Sequence, residues 1–144
     1  MTLHKYQFIT DPNPVEIEQI VVLYREARWW DERDSGNHDL IRRIISGSHC
    51  FLTVTEGNEI VGMGRAVSDR VNDAYIHDVI VFPRLRRQGI GTKIIQEIVR
   101  RLYSDNMRWI GLIAQNNTHS FYRKIGFEEM PLSVPMLLKV DYNR

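Results

Sequence analysis

Apolar positions in this chain alternate, recur every three to four residues or run together, and each pattern predicts an element. Leu3 to Ile9 reads as a first strand, ended by Asp11-Pro12-Asn13-Pro14. Ile17, Ile20, Val21 and Tyr24 then recur at helical spacing, with Pro14 near the helix start, where its missing N–H costs nothing. A shorter second helix carries Leu40, Ile41, Ile44 and Ile45, with Gly47 as its stop. Between the helices, Trp29 to Gly36 is polar apart from Trp29 and Trp30 and reads as a mobile loop bearing rings to stack on a ligand.

His49 to Thr55 and Glu59 to Val67 read as strands around a turn at Gly57-Asn58, a hairpin signal. Tyr75 to Phe82 is a further strand whose unbroken apolar end suits burial on both faces. Gly89 to Met107 sets Ile90, Ile94, Ile95, Ile98, Val99 and Leu102 on one stripe, with Lys93, Gln96, Glu97, Arg100 and Arg101 opposite. Trp109 to Ala114 reads as a strand and Asn117 to Lys124 as a short helix that Gly126 terminates. Phe127 to Glu129 and Met136 to Val140 are expected to be closing strands. The order is strand, two helices, antiparallel meander, then a βαβ unit. It predicts a mixed α/β sheet flanked by helices, not an all-parallel array. No repeat, low-complexity tract or linker divides the chain, so one domain is expected over residues 1–144.

Composition narrows the chemistry. The 144 residues are 43% hydrophobic and 26% charged, as in an ordinary globular domain. A net charge of +1 supplies no global field for nucleic acid or an anionic membrane, and no apolar run has the length of a membrane span. The first residues lack the apolar core of a signal peptide, and a single cysteine, Cys50, excludes an internal disulfide framework. A cytoplasmic protein is expected. Cys50 has no His/Asn partner arrangement and reads as an inert strand thiol. His4, His38, His49, His77 and His119 are scattered without metal-ligand spacing, so no metal is expected.

The one basic cluster is local, which suits a small polyanion. Arg84, Arg86 and Arg87 lead into Gln88-Gly89-Ile90-Gly91 after the apolar run Val79-Ile80-Val81-Phe82-Pro83, where the longest helix opens. The first N–H groups of a helix have no internal partners, and its dipole favours negative charge there. Glycines let the backbone approach a phosphate with no Cβ in the way, and arginines add planar, permanently charged donors. A diphosphate is the expected ligand. A P-loop does not fit, because Gly91-Thr92-Lys93 inverts the last two residues and no glycine stands at the upstream position. A dinucleotide fingerprint does not fit either, because Ile94 stands where the third glycine belongs.

Arg-x-x-Gly-x-Gly at Arg86 to Gly91, after that apolar strand, resembles the acetyl-CoA diphosphate motif of the GNAT superfamily of N-acetyltransferases. About thirty residues on, Phe121-Tyr122-Arg123-Lys124-Ile125-Gly126-Phe127 resembles the family's Phe-Tyr-x-x-x-Gly-Phe signature. The element order is similar too, so the resemblance covers nearly the whole chain. It implies a central sheet splayed between strands 4 and 5, with acetyl-CoA as cosubstrate. The pantetheine arm would pair with the backbone of Val79, Ile80 and Val81. The diphosphate would rest on Arg86, Arg87, Gln88, Gly89, Ile90, Gly91 and Thr92. Asn117 resembles the asparagine that touches the cofactor arm, with Gln115 and Asn116 competing for the role. Tyr122 matches the tyrosine that contacts the cofactor and acts as general acid.

The implied reaction is direct acetyl transfer to a primary amine of a small molecule or to an exposed amino group. The alternative is a CoA-binding sensor or interaction module of the same fold. Many relatives carry a glutamate where His77 stands. The base is therefore His77, acting directly or through a water, or else an ordered water chain. Asp78 would orient His77 or hold the amine's cation. Trp29, Trp30, Arg65, Asp69 and Asp73 could form the amine pocket, or else a surface turn and a hydrophobic cap over the core. Gly62 and Gly64 in one strand suggest a bulge or a close approach by another chain or ligand. Homodimers through the closing strands are common among such look-alikes.

Overall fold

The computed structural model describes residues 2–30 and 38–140. The chain divides into two compact units, residues 1–112 and 113–144. The first holds a sheet whose spatial order follows the chain: β1 (His4–Phe8), β2 (Cys50–Glu56), β3 (Glu59–Ser68), β4 (Asp73–Val81) and β5 (Trp109–Gly111). Strands β1 to β4 are antiparallel neighbours, and β5 runs parallel to β4. Helices α1 (Pro14–Glu26), α2 (His38–Gly47) and α3 (Ile90–Ser104) belong to the same unit. The second unit holds α4 (His119–Ile125), which Gly126 ends in the left-handed region at φ +115°. Among the described residues no helix is long and apolar enough to cross a membrane.

Helix α1 begins with a reciprocal cap. The Asn13 side chain accepts from the Glu16 N–H at 2.8 Å, and the Glu16 carboxylate accepts from the Asn13 N–H at 3.0 Å. Its apolar stripe (Ile17, Ile20, Val21, Leu23 and Tyr24) packs with Ile41 and Ile45 of α2 on Phe51, Met63 and Ile80 of the sheet. Ile94, Ile95, Ile98 and Leu102 of α3 are also fully buried. Successive strand residues point to opposite faces, and Gly64, next to Met63, meets α3. A Cβ on Gly64 would lie 2.8 Å from Ile94 Cγ2 and 3.0 Å from Ile98 Cδ1. The close approach that Gly62-Met63-Gly64 suggests is thus made by the chain's own helix. The bulge lies in the partner strand: Arg65 pairs with His77 and Met63 with Ile80, so Asp78 and Val79 together face Gly64.

Strand β5 is shorter than the predicted Trp109 to Ala114. It pairs with β4 only from Asp73 to Tyr75, so from Ile76 onward that edge of β4 has no strand partner among the described residues. This is the splay that the resemblance implies. The closing strands expected at Phe127 to Glu129 and Met136 to Val140 do not form. A strand's backbone bonds exist only with a neighbour. The second run takes up no ladder, and Met136 and Leu137 are each 91% exposed.

At its distal end the sheet is tied to α3 by His49, whose ring nitrogens meet Ser68 Oγ at 2.6 Å and Asp105 Oδ2 at 2.8 Å. The Asp105 carboxyl is held below its usual range first by that imidazole and then by Arg101, whose Nε donates to it at 2.9 Å.

The glycine contact yields a stability prediction. Gly64→Ala is expected to destabilise the fold by about 1–3 kcal/mol, because Ile94 must shift within a packed layer. Gly47→Ala, with nothing within 4 Å, should stay within about 0.5 kcal/mol of the parent or gain slightly. Urea melts of the two variants check the contrast.

Candidate active site

Strand β4 leaves the sheet through Phe82 and a single 3-10 turn, Pro83–Leu85, then passes through Arg87 at φ +63° and Gly89 at φ +81° into α3. Gly89 is the N-cap and provides no side-chain acceptor, and the first turn of α3 carries no acidic residue. The Lys93 N–H closes on the Gly89 carbonyl at 3.1 Å, so the donors before it, at Ile90, Gly91 and Thr92, precede the internal ladder. Three arginines border this turn, but they do not share one role. Arg84 is engaged, with Nη2 2.5 Å from Glu59 Oε1 and the guanidinium 5.7 Å above the Phe82 ring. Arg86, Arg87, Gln88 and Gly89 are exposed, and neither Arg86 nor Arg87 has a carboxylate partner among the described residues. The residues fit an oxyanion ligand: clustered N–H donors, a dipole end, two free guanidiniums and a glycine in a conformation L side chains resist.

Val79, Ile80 and Val81 continue β4 beyond its last contact with β5. Just before them stands the bulge. Asp78 has φ +56°, a left-handed conformation that Asp tolerates better than most residues. Its Oδ2 accepts from the Tyr24 hydroxyl at 2.8 Å and from Arg65 Nε at 2.6 Å. Arg65 Nη1 reaches Ser48 Oγ at 3.3 Å, and that hydroxyl donates to the Ile44 carbonyl at 2.6 Å. Asp78 is therefore committed to Tyr24 and Arg65 rather than orienting His77. Burial, then the adjacent Asp78 charge, pushes the Tyr24 phenol far up, so it remains a donor.

His77 is exposed, opposite Arg65 in register and 6.3 Å from the Tyr75 ring. Partial burial and then the Arg65 guanidinium hold its imidazole below the ordinary value, with Asp78 opposing. A neutral imidazole near neutral pH is able to take a proton.

The suggested amine pocket is only partly assembled. Trp30 stacks on Tyr24 with ring centroids 4.5 Å apart and 16° between planes, and it packs on the core. Trp29 meets the same ring edge-on at 6.0 Å and stays 43% exposed. Residues 31–36 of the predicted loop lie outside the described residues. Asp69 closes the β3–β4 turn: its Oδ1 accepts from the N–H groups of Val71, Asn72 and Asp73 at 2.8–3.0 Å. Those bonds hold its carboxyl below the usual range. The Asp73 carboxylate accepts from the Asn72 side chain at 2.7 Å. Nothing in the sequence marks Tyr24 or Ser48 for this network: Tyr24 reads as a core position of a helix, and Ser48 belongs to no motif.

Tyr122, in the second unit, packs edge-on against Phe121 at 5.0 Å and Phe127 at 5.9 Å, and burial raises its phenol above the ordinary value. Asn116 and Asn117 precede α4 as consecutive left-handed residues. Burial pushes the Cys50 thiol up to about 11, which suits an inert side chain. Among the described residues no three His, Cys, Asp or Glu side chains gather as metal ligands.

The chain is similar to known proteins in sequence and in fold. A soybean (Glycine max) protein named histone acetyltransferase TAP1 is 40% identical over 80 residues, 54% of this chain and 35% of that one. GCN5-related N-acetyltransferase 2, chloroplastic, of Arabidopsis thaliana is 37% identical over 73 residues, 51% of this chain and 28% of that one. The chain thus spans about a third of the length of these relatives. A GNAT-family acetyltransferase structure from Streptococcus pneumoniae superposes with a TM-score of 0.78 at 20% identity, covering 96% of this chain and all of that one; it speaks for the fold alone. The acetyltransferase (GNAT) family model matches residues 7–127, and the chain belongs to that family.

Proposed function

We propose that the protein is an acetyl-CoA-dependent N-acetyltransferase, built as one domain over residues 1–144, that transfers acetyl directly to a primary amine. The observation that carries this reading is the uncapped start of α3, set directly after a strand whose outer edge, from Ile76 onward, has no strand partner among the described residues. An open helix start binds a diphosphate, and a free strand edge binds an amide-bearing arm. Coenzyme A carries both, and its thioester supplies the acetyl group.

The chain's own residues divide the remaining work. The N–H groups from Arg87 to Thr92, with Arg86 and Arg87, hold the diphosphate. The backbone of Val79 to Val81 pairs with the pantetheine amides. The Val79 N–H donates to the carbonyl oxygen as that oxygen gains charge. An acceptor amine with a pKa of ~10 arrives protonated, and His77 removes the proton. Tyr122, assigned by its match to the family signature, protonates the departing thiolate, whose conjugate acid has a pKa of ~8.5. The acceptor is a small amine or an exposed lysine or terminal amine; the soybean relative's name points to a protein amine. The compartment is proposed as the cytoplasm or, following the Arabidopsis relative's name, the chloroplast.

Acetyl-CoA incubated with a panel of amines should release free thiol, with acetylated product seen by mass spectrometry. Coenzyme A binding without thiol release from any amine would leave only a binding module. Gly89→Val forces a β-branched side chain to φ +81° and puts methyl groups at the diphosphate, so it should weaken CoA binding at least about tenfold by calorimetry. Retained affinity would move the diphosphate elsewhere. Tyr122→Phe should lower kcat by about 10²-fold with CoA affinity nearly unchanged; equal loss of both would make the tyrosine structural. Because the His77 pKa lies below its ordinary ~6.5, the base form persists as pH falls through that value. The acidic limb of kcat/KM should therefore sit below pH ~6.5 and vanish in His77→Gln. An unchanged limb in that variant would assign proton removal to water.

A further inference from the structure

Asp78 occupies the point in the β4 bulge where a left-handed residue is required, the point at which bulges of this kind usually carry glycine. Its carboxylate is gripped from two other elements. The Tyr24 hydroxyl comes from α1 at 2.8 Å and Arg65 Nε from β3 at 2.6 Å, while Ser48 holds the far side of that guanidinium at 3.3 Å. The Tyr24 ring is itself fixed by Trp30, stacked at 4.5 Å. Tyr24 is fully buried, and Arg65 and Asp78 are about four-fifths buried. A carboxylate anchored by a helix and by the neighbouring strand resists rotation of its own backbone. Asp78 and the following Val79 are the pair left without register partners on β3.

We infer that Tyr24 and Arg65 are positioning residues that, through the Asp78 carboxylate, hold the bulge and set the Val79 backbone at the open edge of β4 in the geometry needed for acetyl transfer. This rests on the acetyl-CoA reading of that edge. In this role each acts through Asp78, the group that both of them contact. The diphosphate turn starts beyond Phe82 and does not depend on the clamp. Loss of the clamp should therefore fall on kcat and spare the affinity for coenzyme A.

The test compares four full-length proteins: the parent, Tyr24→Phe, Asp78→Gly and Asp78→Ala. Tyr24→Phe keeps the buried ring and removes only the anchoring hydroxyl. Its kcat should fall at least fivefold while the CoA dissociation constant stays within twofold. Amide hydrogen exchange at residues 78–80 should quicken at least tenfold, with the β1–β2 pairs unchanged. Both Asp78 variants lack the carboxylate, but only glycine takes φ +56° readily, so Asp78→Ala should lose at least fivefold more kcat than Asp78→Gly. The inference is overturned if Tyr24→Phe leaves kcat and exchange at the parent's values, or if the alanine and glycine variants behave alike. Should the parent transfer acetyl to no amine, acetyl transfer falls as a separate matter, and the exchange rates at 78–80 decide the clamp by themselves.

Discussion

Gly64 is the point on which the rest of the first unit turns. On one side its missing side chain lets Ile94 and Ile98 seat against the sheet; along the strand it is the single residue opposite the bulged pair Asp78 and Val79. A packed layer tolerates little adjustment, so the depth to which α3 sinks and the course of β4 past the bulge are set at one place. Where the helix begins follows from that. Its first turn arrives just beyond the end of β4, with open donors facing away from its own ladder.

The electrostatics of the turn are economical. One of its three arginines, Arg84, is spent on Glu59 and Phe82, which secures the 3-10 turn to the β2–β3 hairpin. The other two remain free. Fixed partial charges from the helix start combine with flexible full charges from the two guanidiniums, so an anion placed there would meet a preorganised seat and an adaptable rim. Near the bulge the logic is reversed: Arg65 and Asp78 neutralise one another in a largely buried setting, and Tyr24 satisfies a remaining lone pair. That pairing leaves His77 beside a guanidinium with little incentive to charge.

Much of this was legible in the residues. The meander and the longest helix announced themselves through period-two and period-four patterns, and the doubled glycine correctly signalled a close approach. What approached was not legible, because α3 comes from a segment thirty residues away. The contact between Tyr24 and Asp78 was hidden for the same reason: a tyrosine on an apolar stripe looks like packing until its hydroxyl is traced across the sheet. Asp78 reads as a partner for His77 or for the amine, not as the corner of a bulge, since its left-handed backbone depends on register with β3. Met136 to Val140 has the composition of a strand, yet composition supplies no neighbour. The anion-seeking character of the turn at Arg86 to Thr92 is legible because its chemistry is local, whereas the part proposed for Tyr122 rests on a motif.

The burial of Cys50 bears on the proposed reaction. Acetyl transfer from a thioester would liberate a sulfhydryl compound, and oxidised forms of such a compound cap accessible protein thiolates as mixed disulfides. With its acidity suppressed to about 11 and its sulfur enclosed within β2, the sole cysteine is shielded from such exchange. The proposed chemistry would thus leave the protein itself unmodified by its by-product.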